Sequence, residues 1–183
     1  MKINIGCGKD VKLGWVNLDY HDRLGANFIH NLNNLPLPFK DNKFDYVLCS
    51  HVIEDWADPM PLIRELARIT KVGGKLEIRV PHELSANANG SIAHKKLFNA
   101  ETLYYISKVS RDYDSSFYPN LKIDSLRYYC NPNWENPLLA LYKLSCVFIR
   151  NFFGVNSERI PIIRKISSPD MNLNVIYVKE GKE

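Results

Sequence analysis

KINIGCG at positions 2–8, followed by GWVNLD at 14–19, is the stretch whose reading decides the fold. Residues 2–5 form a short β-rich run that Gly6 stops. A strand ending in Gly-x-Gly, here Gly6 and Gly8, turns tightly and lets backbone approach a ligand with no Cβ in between. A second short run ends at Asp19, and an acid in that place accepts hydrogen bonds from both hydroxyls of a ribose. The two signals together describe a nucleoside-type pocket at the carboxyl ends of neighbouring parallel strands. The longer dinucleotide fingerprint is not completed, because Val11 stands where its third glycine would fall. A GxxxxGK[ST] phosphate loop is also missing.

Working outward, the runs at 15–18, 26–29, 44–49 (FDYVLC) and 76–80 (LEIRV) alternate with loops and helical patterns, the signature of an α/β sheet. The clearest helix has Asp58 as N-cap and Pro59 at its first position. Leu62, Ile63, Leu66, Ala67 and Ile69 predict its buried stripe, and Gly73 predicts a left-handed stop just past its end. A further helix is expected to open at Asn99 and run through Ile106. Leu121–Tyr129 and Asn172–Lys179 read as strands. Only residues 6–14 separate the first two strands, less than a crossover helix with its loops requires. The early crossovers are therefore expected to be shortened, with one face of the sheet thinly covered near its start.

The 183 residues are 45% hydrophobic and 24% charged, an average globular composition that excludes wholesale disorder. No repeat, low-complexity tract or boundary divides them, so 1–183 is expected to be one domain. Lys and Arg number 24 against 20 Asp and Glu, a net charge of only +4. With those charges scattered, neither nucleic acid nor an acidic membrane is the expected partner. The start MKINIGCGKD lacks the apolar centre of a secretory signal, and no stretch reaches transmembrane length. Cys7, Cys49, Cys130 and Cys146 are widely spaced and read as reduced thiols. A cytoplasmic location is the expectation.

The run INIGCG, GWVNLD, NLNNLPLPFKDNKFDYVLCSHVIED, LIRELARITKVGGKLEIRVP resembles the class I S-adenosylmethionine-dependent methyltransferases, and more narrowly their type 11 branch. The likeness spans about residues 2–103. It implies a Rossmann-like methyltransferase fold: a mostly parallel twisted sheet whose last strand is antiparallel. It also implies S-adenosylmethionine as cofactor, with S-adenosylhomocysteine as product. Residues 1–82 would be the cofactor half and 83–183 the acceptor side. Gly6, Cys7 and Gly8 would line the amino-acid part of the cofactor. Asp19 would hold the ribose, with Tyr20 beside the adenine. Asn31 and Leu32 stand where the family usually has Asp-Leu at the adenine edge. Ser50 and His51 would sit under the sulfonium. Asp55 replaces a second histidine of the family, and Lys71-Val72-Gly73-Gly74 replaces its Lys-Pro-Gly-Gly turn.

Methyl transfer needs alignment above all, and a poor nucleophile such as a sugar hydroxyl also profits from a base. His51, after the fourth strand, is the first candidate, and His94 the second. His82, Glu83 and His94 fit no standard metal-ligand spacing, so no metal is expected. The expected acceptor is a small molecule or a sugar-containing, glycan-type compound. The alternative is a cofactor-binding relative without transfer activity, acting as a partner subunit. Segment 137–153 (PLLALYKLSCVFIRNFF) is too apolar for a solvated helix. It is expected to pack on the thin face, form a homodimer contact or dock shallowly on a membrane.

Overall fold

Alternation along the strands builds the molecule around one sheet. The computed structural model describes residues 1–22, 25–108, 119–129, 148, 151 and 171–181. Its strands are β1 (Lys2–Ile5), β2 (Val16–Asp19), β3 (Phe28–Ile29), β4 (Phe44–Ser50), β5 (Thr70–Pro81), β6 (Leu121–Tyr129) and β7 (Asn172–Lys179). They form a seven-stranded sheet in the order β3-β2-β1-β4-β5-β7-β6. Pairings from β3 to β5 are parallel, and β7 runs antiparallel to both β5 and β6. The order reverses at β1, so a crevice opens beyond the carboxyl ends of β1 and β4, where such sheets bind ligands.

Register assigns each residue to a face. Ile3, Val47 and Leu76 are in line, as are Ile5, Cys49 and Ile78, and all six are buried. This apolar face is covered by α1 (Met60–Ile69) and α3 (Ala100–Lys108). Leu62, Ile63, Leu66, Ala67 and Ile69 form the buried stripe of α1, and Leu103 and Ile106 that of α3. Tyr177 Oη donates to the Leu103 carbonyl at 2.6 Å, tying α3 to β7. The opposite face carries Asn4, Tyr46, Glu77, Arg79 and Asn174, a polar set no apolar helix would cover.

The early crossovers are short, and no helix lies between β1 and β2 or between β3 and β4. Strand asparagines replace the missing helix. Asn4 Nδ2 donates to the Asp10 carbonyl at 2.7 Å. Asn17 accepts from Lys12 N–H at 2.8 Å and donates to the Lys12 carbonyl at 2.9 Å. Both asparagines are buried, so backbone groups of Asp10 and Lys12 in the 7–15 loop are bonded from the strands beneath it.

Three local expectations are corrected. Pro59 rather than Asp58 is the N-cap of α1, yet Asp58 Oδ1 accepts from Met60 N–H at 3.0 Å. Proline has no N–H to offer at the next position, so the carboxylate reaches one residue further. Second, Gly73 does not end the helix: α1 stops at Thr70, which is already extended, and β5 begins there. Gly73 (φ +75°) lies in the irregular pairing between Phe44 and Tyr46, while a Cβ on Gly74 would meet the Lys71 carbonyl oxygen at 2.9 Å. Third, the 26–29 run contributes only two strand residues. Asp58→Ala is expected to cost about 0.5–2 kcal/mol, the ordinary worth of a helix-start acceptor. Thermal unfolding checks it: an unchanged midpoint would show that the Met60 bond contributes nothing.

Of segment 137–153, only Phe148 and Asn151 lie among the described residues. Asn151 bonds Tyr128 twice, accepting from its N–H at 2.9 Å and donating to its carbonyl at 2.8 Å. Phe148 is exposed. The expectations for packing, homodimer contact or membrane docking of this segment otherwise fall outside the described residues. Among those residues, no helix is long and apolar enough to cross a membrane.

Candidate functional site

The glycine loop leaves β1 in a left-handed conformation, with φ +62° at Gly6 and +50° at Gly8. At Gly6 the constraint is steric as well, since a Cβ there would stand 2.5 Å from Val52 Cγ2. At Gly8 it is conformational alone, because nothing among the described residues lies within 4 Å of an added Cβ. Gly8 N–H donates to Asp19 Oδ2 at 2.8 Å, and His21 N–H donates to Oδ1 at 3.1 Å. The acid at the end of β2 therefore fastens the loop after β1. Cys7 between the glycines is buried, and that burial, with Asp19 nearby, raises its thiol pKa.

Two cavities meet at Gly6. The first, of about 320 Å³, is lined by Asp19, Tyr20, Asn31, Leu32, Asn33 and Trp56. One carboxylate beside aromatic and apolar walls is the chemistry of a nucleoside pocket. Asn31 Oδ1 already accepts from Asn33 N–H at 2.9 Å, closing the turn that shapes one wall. The second cavity, of about 490 Å³, is more polar. Cys7, Gly8, Asp10, Ser50, His51, Arg79 and Tyr129 are among its walls.

His51 follows the last residue of β4, beside the parallel strand β5. Its backbone is left-handed (φ +55°), an uncommon state for a residue with a Cβ, and its N–H donates to the Arg79 carbonyl at 2.9 Å. Its Nδ1 lies 3.2 Å from Glu54 Oε1, and its Nε2 lies 3.5 Å from Tyr129 Oη. Burial pushes the Tyr129 phenol up to about 12, so it remains a neutral hydroxyl at ordinary pH. Burial, then the neighbouring Glu54, raises the carboxyl pKa of Asp55.

Gly6, Cys7, Gly8, Asp19, Tyr20, Asn31, Leu32, Ser50 and His51 thus all border the two cavities. His94 does not border either. Its Nδ1 lies 3.2 Å from the Ala88 carbonyl, within its own loop. The walls also include residues the sequence reading does not single out: Asn4, Lys9 and Asp10 beside the glycine loop, and Asn33, Trp56, Arg79 and Tyr129. Arg79 had a signal, since Glu77 and Arg79 two apart in an apolar strand share a face, and Arg79 Nε donates to Glu77 Oε1 at 2.7 Å. Tyr129 had none, because it comes from β6, 78 positions beyond His51.

A mostly parallel sheet with this strand order and a glycine loop facing an acid defines a class I methyltransferase fold. Residues 3–78 match the methyltransferase domain family, type 11, and the sheet has the Rossmann-like fold of S-adenosylmethionine-dependent methyltransferases. A demethylmenaquinone methyltransferase of Listeria welshimeri is 28% identical over 107 residues, covering 58% of this chain and 43% of that one. An uncharacterised protein of Methanocaldococcus jannaschii is 33% identical over 162 residues, covering 87% of this chain and 57% of that one. This chain thus spans less than half the length of the Listeria relative. Among solved structures, an S-adenosylmethionine-dependent methyltransferase of Methanosarcina mazei superposes with a TM-score of 0.59 at 13% identity, covering 99% of this chain and 92% of that one.

Proposed function

We propose that this protein is an S-adenosylmethionine-dependent methyltransferase acting on a small-molecule or sugar-containing acceptor. The observation that carries the reading is Asp19, whose carboxylate fastens the glycine loop while facing the nucleoside-sized cavity. The residues fit the cofactor, since an acid and aromatic walls suit adenosine and the polar cavity beyond Gly6 suits an amino acid. Asp19 would hold the ribose, Tyr20, Asn31 and Leu32 the adenine, and Gly6, Cys7, Gly8 and Ser50 the methionine end. When bound, the cofactor supplies an electrophilic methyl group. The chain's part is to align an acceptor oxygen or carbon and, through His51, to take a proton from it. The Listeria relative makes demethylmenaquinone a natural first compound to try among small acceptors.

The helix-free crossovers favour one second reading, a cofactor-binding partner subunit without transfer activity. Calorimetric titration separates the cases. S-adenosylmethionine is expected to bind and NAD not to, because Val11 breaks the dinucleotide fingerprint. Failure of S-adenosylmethionine to bind would overturn both readings. Binding without transfer to any screened acceptor would favour the second.

A further inference from the structure

Glu54 is buried to 1% exposure beside the cleft, and its use is not explained by packing. It sits on the short helical turn Ile53–Asp55, which follows β4 after His51 and Val52. Oε1 faces His51 Nδ1 at 3.2 Å, while Oε2 is buried with no hydrogen-bond partner among the described residues. A buried carboxylate oxygen left without a donor is costly to keep, because its desolvation is not offset. The turn is clamped from outside, since the Glu54 carbonyl accepts from Lys95 N–H at 2.7 Å and from Lys96 N–H at 3.1 Å. The loop after β5 thereby holds the carboxylate against the histidine. His51 is constrained as well, by its left-handed backbone and its bond to Arg79. Strain of this kind persists where the surroundings over-determine the conformation.

We infer that Glu54 is a positioning residue for His51: it holds the ring proton on Nδ1 and leaves the Nε2 lone pair directed at the cleft, beside Tyr129. A carboxylate accepts and does not donate when ionised, so the nitrogen facing it carries the proton. A proton arriving from an acceptor then lands on Nε2, and the buried carboxylate balances the imidazolium. The assignment rests on the functional reading above for its purpose. Its geometry is independent of the cofactor, and so is its test.

The test is the tautomer of neutral His51, read from ring nitrogen chemical shifts at mildly alkaline pH, with the resonance assigned by its loss in His51→Gln. Free imidazole side chains favour the proton on Nε2, so the expected Nδ1–H form in the wild type is an inversion. Glu54→Met removes the acceptor at similar volume and is expected to return His51 to the Nε2–H form. Glu54→Gln, a neutral acceptor of the same shape, is expected to give a mixture. A wild-type protein showing mainly Nε2–H overturns the proposal whether or not any variant folds. Unchanged shifts in folded Glu54→Met, or in Glu54→Gln if the methionine variant does not fold, overturn it equally. Failure to bind S-adenosylmethionine would instead overturn the functional reading and leave the tautomer result standing.

Discussion

Methyl transfer by His51→Gln is expected to fall by about a hundredfold to ten-thousandfold, the ordinary loss when a general base is removed and proton abstraction limits the rate. The expectation rests on where the ring sits. Its backbone N–H is tied to β5 at Arg79, its Nδ1 to buried Glu54, and its Nε2 is left at the polar cavity. Glutamine keeps a polar side chain of comparable reach but cannot take up a proton at neutral pH. The measurement is turnover of labelled methyl groups onto whichever acceptor screening identifies, paired with an S-adenosylhomocysteine titration of the same variant. Loss of turnover with affinity nearly kept supports the base. Parallel loss of both would reduce His51 to a wall of the cofactor pocket, and unchanged turnover would remove it from the chemistry.

Asp19→Ala is expected to weaken S-adenosylhomocysteine by about 1–3 kcal/mol, roughly five- to 150-fold, from unpaired polar groups in a partly enclosed site. Two effects act in the same direction. The ribose hydroxyls lose their acceptor, and Gly8 N–H loses the carboxylate that fixes the loop. Asp19→Asn separates them, because its amide oxygen still accepts from Gly8 while the charge is gone. Calorimetry with circular dichroism as the folding control decides the matter. Wild-type affinity in a folded Asp19→Ala protein would place the ribose elsewhere.

Much of this was legible along the chain because it is local. Gly6, Gly8 and Asp19 stand within fourteen positions, and the backbone freedom of glycine and the place of an acid at a strand end need no tertiary contact to be read. The stripe of α1 was equally plain, since helical spacing alone gathers Leu62, Ile63, Leu66, Ala67 and Ile69. Short crossovers could be counted directly. Boundaries misread were those where a neighbouring strand intervenes: β5 begins at Thr70 because Phe44 pairs with it there, which no local rule announces.

What only the tertiary structure decided is which distant groups converge. Asn4 and Asn17 look like polar interruptions of strands until the loop above them is seen to hang from their side chains. Tyr129 reaches His51 because β6 folds back through β7 onto the sheet's far edge, and Trp56 reaches the Asp19 cavity from the other side of β1. His51 and His94 read alike as loop histidines after strands. One faces a buried carboxylate and the cleft, and the other turns to its own loop carbonyl. Residue type and spacing determine what a side chain can do; the direction in which it points depends on which elements pack beside it, and that is settled only when the sheet closes.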